Sequence, residues 1–386
     1  MRAFVIGGTG LIGGAVDRWL LAAGWDVDVL ARGTRRVPED LTGRVGFTAA
    51  DRSDARAVRA AFGGGADLLV DCACFTAADA AGLLPLAAHA TSTVMFSSKA
   101  VYADALGRHA NSPEPPRFEG PVTESQPTVP AGDMDYRSRE GYGANKVAAE
   151  RVLLDSGLPV TVLRPSKVHG RGAAPARAWV FVKRVLDGRP VVLLAGMGRG
   201  IDHPSAAVNI ASLVEAIAER PAARILNAAD PDAPSGVDIA GIVASHLAHK
   251  WKVVLLDDDV PAPLGWHPWD GRPPVVLDTT AALGLGYRPA GDFASTIADE
   301  LDWLTAVADT VASARLPEEV DDCRFDGAFD YAAEDEFLAR SVRAPAATHL
   351  IYLGEPSPCI PSLGTKRHAT VDRCRIGTFH HATEIQ

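Results

Sequence analysis

Basic residues are outnumbered, cysteines are few, and no uninterrupted apolar run is long enough to cross a bilayer. With 38 Lys and Arg against 48 Asp and Glu, the 386-residue chain carries a formal net charge of −10. Phosphate backbones are held mainly by Lys and Arg, so this balance argues against a nucleic-acid partner. It leaves open a local phosphate site for a nucleotide cofactor. The five cysteines, Cys72, Cys74, Cys323, Cys359 and Cys374, form no paired CxxC blocks. A disulfide framework or a structural zinc is therefore not expected, and a reducing cytoplasm is the expected compartment. The chain opens on an apolar strand pattern, Ala3-Phe4-Val5-Ile6, instead of a basic and then apolar leader.

A hydrophobic fraction of 47% provides for a sizeable core. The first half alternates short apolar runs with helical periodicity, which implies βαβ units and a parallel sheet. Strands are expected at 3–6, 27–31, 45–48, 68–71, 93–97 and 160–164. Leu11, Ile12, Ala15, Val16, Trp19 and Leu20 recur at helical spacing, and Gly24 supplies the stop. The fold class is α/β, a Rossmann-type doubly wound parallel sheet with a smaller C-terminal substrate domain. Residues 1–170 form the dinucleotide-binding part, 171–340 a smaller substrate-binding region that can share strands and helices with it, and 341–386 an irregular tail broken by Pro356, Pro358 and Pro361. Helices are expected at 210–219 and 239–248. The Pro-, Gly- and charge-rich stretch 104–139 reads as a long loop of the kind that forms substrate lids. His380-His381 lacks spaced partners, so no metal is expected there.

Gly7-Gly8-Thr9-Gly10-Leu11-Ile12-Gly13 lies between the first strand and the first helix. Gly7 permits the tight turn, Gly10 lets backbone approach a pyrophosphate, and Gly13 lets helix and strand pack closely. The N–H groups of the helix start then face the phosphates, with Thr9, Leu11 and Ile12 alongside. At the end of the second strand Ala31 stands where an acid would select NAD, and Arg32, Arg35 and Arg36 follow. Arginines there can pair with a 2′-phosphate, so NADP(H) is favoured over NAD(H). Asp51, after the third strand, is a candidate partner for the adenine.

Tyr142 and Lys146, four apart on a helix, share a face and can reach one ligand. A nearby ammonium favours the phenolate, so Tyr142 is a candidate general acid/base, with Lys146 lowering its pKa and holding ribose hydroxyls. Ser98, at the end of the fifth strand, is a candidate to polarise the substrate oxygen. The order GGTGLIG, SSKAVY, YGANK and LRPSKVHGRG (163–172) resembles the extended short-chain dehydrogenases/reductases of the NAD-dependent epimerase/dehydratase family, over roughly residues 1–310. The resemblance implies Ser98, Tyr142 and Lys146 as a catalytic triad, with Gly7, Gly10 and Gly13 on the cofactor.

Departures from the family pattern narrow the substrate. Lys99 and Ala100 stand where dehydratases carry an Asp-Glu pair, which argues against elimination of water. Lys167 replaces a customary Asn and His169 a customary Tyr; Ile201-Asp202 stands where nucleotide-sugar enzymes show Arg-Asp. That puts the diphosphate clamp in doubt, with Lys167 or Arg199 as substitutes. Lys99, Lys167 and His169 are candidate contacts to a small polar substrate. Three readings follow: an NADPH-dependent reductase, an NAD-dependent epimerase of a sugar or nucleotide-sugar, and a non-catalytic dinucleotide-binding protein. A homodimer through the helix carrying Tyr142 is a further expectation.

Overall fold

The computed structural model describes residues 1–310, 325, 327–341 and 348–352. Seven strands, all parallel, form the central sheet in the order β10-β6-β5-β4-β1-β2-β3. They are β1 (Arg2–Ile6), β2 (Asp26–Ala31), β3 (Gly46–Ala49), β4 (Ala66–Asp71), β5 (Ala90–Phe96), β6 (Val160–Pro165) and β10 (Arg224–Ala228). The crossover helices are α1 (Leu11–Ala22), α2 (Ala55–Phe62), α3 (Ala77–Ala87), α4 (Arg139–Leu154) and α6 (Ala207–Ala218).

Alternation along each strand builds the two layers, because successive side chains leave a strand on opposite faces. Ala3, Val5, Val27, Val29, Leu68, Val70, Val94 and Phe96 pack under α1 and α6 with Val16, Leu20, Ile210 and Val214. Phe4, Ile6, Leu30, Leu69, Met95 and Val162 face the other way, against Val58, Phe62, Leu83, Ala149 and Leu153 of α2, α3 and α4. Ile6 is level with Leu30 on one side and Asp71 on the other, so strand order reverses beside the end of β1. In doubly wound sheets that reversal opens the ligand crevice.

The region after residue 170 is not separate from this sheet: β10 pairs β6, and α6 covers α1, where Trp19 Nε1 donates to Glu215 at 2.6 Å. A second layer holds β8 (Val191–Leu194), β11 (Lys252–Leu256) and β12 (Thr348–Tyr352), covered by α5 (Trp179–Leu186), α7 (Gly236–His246) and α9 (Phe293–Thr310). Residues 348–352 fall in the stretch read from sequence as irregular, yet they run antiparallel to β11. Short strands β7 (Lys167–His169) and β9 (Pro204–Ala206) pair beside the sheet, and α8 (Thr280–Leu283) and α10 (Tyr331–Ser341) complete the described elements. Among the described residues Cys72 and Cys74 are free; Cys323, Cys359, Cys374 and His380-His381 lie outside them. Among the described residues no helix is long and apolar enough to cross a membrane.

Asp17, on the core side of α1, is 1% exposed, and neither carboxyl oxygen has a hydrogen-bond partner. Burial pushes its pKa well up, with Arg18 pulling weakly the other way. The folded chain thus holds this proton above the pH at which the unfolded chain releases it, and stability falls as pH rises through that window. Asp17→Asn is expected to match wild type at about pH 4, near the unfolded carboxyl pKa. At pH 8 it should be the more stable of the two, because wild type releases a proton on unfolding there and the amide has none to release. Urea denaturation at the two pH values checks this; equal differences at both would refute it.

Candidate active site

The glycine loop sits at the reversal point. Gly7 has φ +87°; its N–H donates to Leu30 O of β2 at 2.8 Å, and its carbonyl accepts from Gly10 N at 3.0 Å, closing the turn. A Cβ on Gly13 would stand 2.5 Å from Gly7 O and 2.6 Å from Gly8 Cα, so the helix start touches the loop backbone. Gly10 caps α1 without a side-chain hydrogen bond, leaving the first N–H groups of the helix facing the crevice. A cleft lined by Gly7, Thr9, Gly10, Arg32, Arg35 and Asp51 runs along it, and Leu11, Ile12 and Gly13 line its continuation. The open glycine cradle and uncapped helix end fit a dinucleotide pyrophosphate. Arg36 does not line the cleft. The Asp51 carboxylate accepts from Ser53 N at 2.9 Å and Ser53 Oγ at 2.7 Å, which holds its pKa below the ordinary range.

Residues that sequence reasoning did not single out floor this cleft. Asp71, fully buried at the end of β4, pairs with Arg52 at 2.8 Å, and Arg52 also reaches Asp79 at 3.3 Å. Phe75 stacks on Tyr136 with ring centroids 5.1 Å apart, and Tyr136 and Arg137 line the cleft from above. The 104–139 loop therefore borders two pockets, because Ala110 to Pro113, Pro115, Pro116 and Phe118 wall the neighbouring cavity.

Ser138 caps α4, accepting from Gly141 N at 2.9 Å, and so fixes the start of the helix that carries Tyr142 and Lys146. The Ser98 side chain stands near the Tyr142 phenol, and Ser98 Oγ accepts from Ala100 N at 3.1 Å. The expected downward pull of Lys146 on Tyr142 is not what the structure gives: burial pushes the phenol above its ordinary pKa, opposed by the Ser98 side chain. Lys146 Nζ lies 5.9 Å from the Tyr142 ring centre and donates to Cys74 O at 2.7 Å and Phe96 O at 2.8 Å. Its third quadrant faces the Phe75 ring at 4.3 Å. Burial pushes this ammonium down to about 8 against the upward pull of Cys74 and Asp71.

Beside Ser98 opens a cavity of about 410 Å³ lined by Lys99, Lys167, Arg177, Asp202, Asp270 and Arg272, among others. Lys99 is in contact with Asp202, and Lys167 is 3.2 Å from the same carboxylate. Lys99 and Lys167 are thus brought together as the sequence suggested. His169 is not: it is fully buried, bonded to Asp230 at 2.7 Å and packed on Phe293, away from this cavity. Its ring fills space between β7 and α9 and holds Asp230, which also accepts from Ala206 N and Asn209. Arg199 is exposed and does not line the cavity either. Among the described residues no cluster of three or more His, Cys, Asp or Glu could hold a metal.

A parallel sheet with a glycine loop at its reversal point, a Ser–Tyr hydroxyl pair and a Tyr-x-x-x-Lys helix define an extended short-chain dehydrogenase/reductase. The chain belongs to the NAD dependent epimerase/dehydratase family, whose model matches residues 3–201. None of the curated proteins compared matches it. Solved structures with this fold include a dTDP-glucose 4,6-dehydratase from Bacillus anthracis in complex with NAD (15% identity, TM-score 0.61, covering 80% of this chain and 98% of that one). A Thermus thermophilus UDP-glucose 4-epimerase complex with NAD is 23% identical (TM-score 0.59, 78% and 98% covered). A putative epimerase from Burkholderia cenocepacia is 22% identical (TM-score 0.59, 78% and 97% covered).

Proposed function

We propose that the protein is an NADP(H)-dependent reductase acting on a carbonyl of a small polar substrate, with Ser98, Tyr142 and Lys146 as its catalytic residues. The observation that carries this reading is Ser98 in the wall of the cavity with the Tyr142 side chain of α4 near it. A bound nicotinamide supplies or accepts the hydride. Ser98 orients the substrate oxygen, and Tyr142, which holds its proton firmly in its buried site, donates it as charge develops on that oxygen. Lys146 anchors the ends of β4 and β5 through Cys74 O and Phe96 O, which fixes Ser98 relative to Tyr142.

The preference for a 2′-phosphate rests on Ala31 at the end of β2 and on Arg32 and Arg35 along the cleft. Arg35→Ala is expected to weaken NADPH binding about 10-fold or more, the worth of one charge-assisted phosphate contact, while NADH binding stays level. Fluorescence titration with both cofactors reads this out, and an equal loss for both would remove the NADP(H) assignment.

A second reading is an epimerase that oxidises and re-reduces one carbon, supported by the family and by the sugar-nucleotide epimerases that share the fold. Net NADPH consumption at 340 nm with a ketone substrate supports the reductase. Turnover without absorbance change, with NAD⁺ retained on the purified protein, favours the epimerase instead. The same pair of measurements addresses the non-catalytic alternative, which requires that neither occurs.

A further inference from the structure

Of the 104–139 stretch, the first part walls the cavity beside Ser98, whereas Tyr136 and Arg137 line the cleft of the glycine loop. The turn before α4 that carries them is tied down from several sides. Gly132 N donates to Ala144 O at 3.1 Å, Asn145 Nδ2 to Met134 O at 2.5 Å, and Ser138 N to Asp135 O at 3.0 Å. The Asp135 carboxylate accepts from Arg137 N at 3.0 Å, so the backbone at Arg137 is fixed without a ligand. Side chains continue the order. Tyr136 stacks on Phe75 with the rings inclined by 24°, and the Arg137 guanidinium lies 5.1 Å from the Tyr136 ring centre. With Lys146 Nζ 4.3 Å from the Phe75 ring centre, a row of four runs from Lys146 through two aromatic rings to Arg137 at the cleft. Arg52, in the same cleft, is committed to Asp71 and Asp79. Arg137 is exposed, and its guanidinium makes no ion pair among the described residues.

We propose that Arg137 pairs with a phosphate group of the dinucleotide, held in place by the Tyr136 ring, so that the cofactor is gripped from the α4 side as well as by the glycine loop. The proposal rests on the reading above that this cleft takes a nicotinamide dinucleotide. It adds a residue outside GGTGLIG and YGANK, two of the segments on which the family resemblance stands. A planar guanidinium meets a phosphate through two parallel N–H···O bonds, so its orientation matters as much as its charge. The Tyr136 ring supplies that orientation, because a guanidinium resting on an aromatic face has less freedom left to lose on binding. The phosphate is the pyrophosphate or the 2′-phosphate, since the cleft runs from Gly7 and Gly10 to Arg32 and Arg35. The same two rings brace Lys146, so the phosphate grip and the expected ribose contact share one support.

The test titrates the full chain with NADPH and, separately, with NADH by fluorescence, comparing wild type, Arg137→Met and Arg139→Met. Arg137→Met keeps an apolar stem on the Tyr136 ring but no charge, and should weaken binding about 10-fold or more. A loss for both cofactors assigns Arg137 to the pyrophosphate, and a loss for NADPH alone assigns it to the 2′-phosphate; either supports the proposal. Arg139 is exposed, two residues on, and does not line the cleft, so Arg139→Met should bind both cofactors as wild type does. The proposal is overturned if Arg137→Met binds both cofactors like wild type or loses affinity for NADH alone. It is overturned equally if Arg139→Met loses as much as Arg137→Met, since the effect is then one of overall charge. A wild type that binds neither dinucleotide counts against the proposed function and takes this proposal with it. Wild-type binding that Arg137→Met leaves unchanged counts against this proposal alone.

Discussion

Tyr142→Phe is expected to reduce turnover by about 10²–10⁴-fold, the usual contribution of a positioned acid/base group. The phenyl ring keeps the volume of the tyrosine, so α4 and its Ser138 cap are undisturbed and cofactor affinity should stay level. What is lost is the phenolic hydroxyl, and its proton, beside Ser98. The loss should therefore appear in kcat, with little change in KM, because the missing interaction strengthens only as charge develops on the substrate oxygen. Steady-state kinetics on whichever substrate is turned over reads the split. A variant with wild-type kcat would remove Tyr142 from the chemistry.

Gly13→Ala carries the second large effect, and it acts through packing. The added methyl would meet Gly7 O and Gly8 Cα, both backbone atoms that cannot turn aside. Either α1 withdraws from β1 or the loop is pushed out of its turn. Overpacking of this kind costs about 1–3 kcal/mol, occasionally more. The first route opens the layer that buries Val16 and Leu20; the second displaces the N–H groups that face the pyrophosphate. Thermal melting should show a lower Tm, and titration should show NADP(H) affinity reduced by about 10-fold or more. Gly14→Ala provides the control: its Cβ would come no closer than 3.3 Å, to the flexible end of Arg18. Equal behaviour of the two variants would contradict this account of the loop.

The parts legible from sequence were those written at short range. The strands from β1 to β6 follow apolar runs bounded by glycine and polar turns, and each was readable to within about three residues of its observed ends. The glycine loop, Ser98 and the Tyr142–Lys146 spacing were readable for the same reason. β10 was not, because Arg224-Ile225-Leu226-Asn227-Ala228 is short and joins the sheet beside β6, some sixty residues earlier in the chain. β8 and β11 meet across a similar gap. The same holds in the site: Arg52 and Asp71, Phe75 and Tyr136, and Lys99 and Asp202 meet only once distant segments have folded together. His169 looked like a substrate contact by its place in a motif, yet Asp230, sixty-one residues on, draws it into the core. The pKa of Tyr142 was misjudged because spacing reveals the neighbouring ammonium but not the depth of burial.

The way β10 and α6 close the central sheet bears on how the molecule can be divided. The family match stops at residue 201, but the sheet does not. A chain cut there would expose the edge of β6, a strand buried along its whole length, and strip the cover from α1. Open apolar edges invite pairing with other chains, so such a fragment would aggregate sooner than it would hold a nucleotide. The residues around the cavity beside Ser98 and those of the glycine loop therefore rest on one sheet, and exchanging the former between relatives would perturb the latter's scaffold as well.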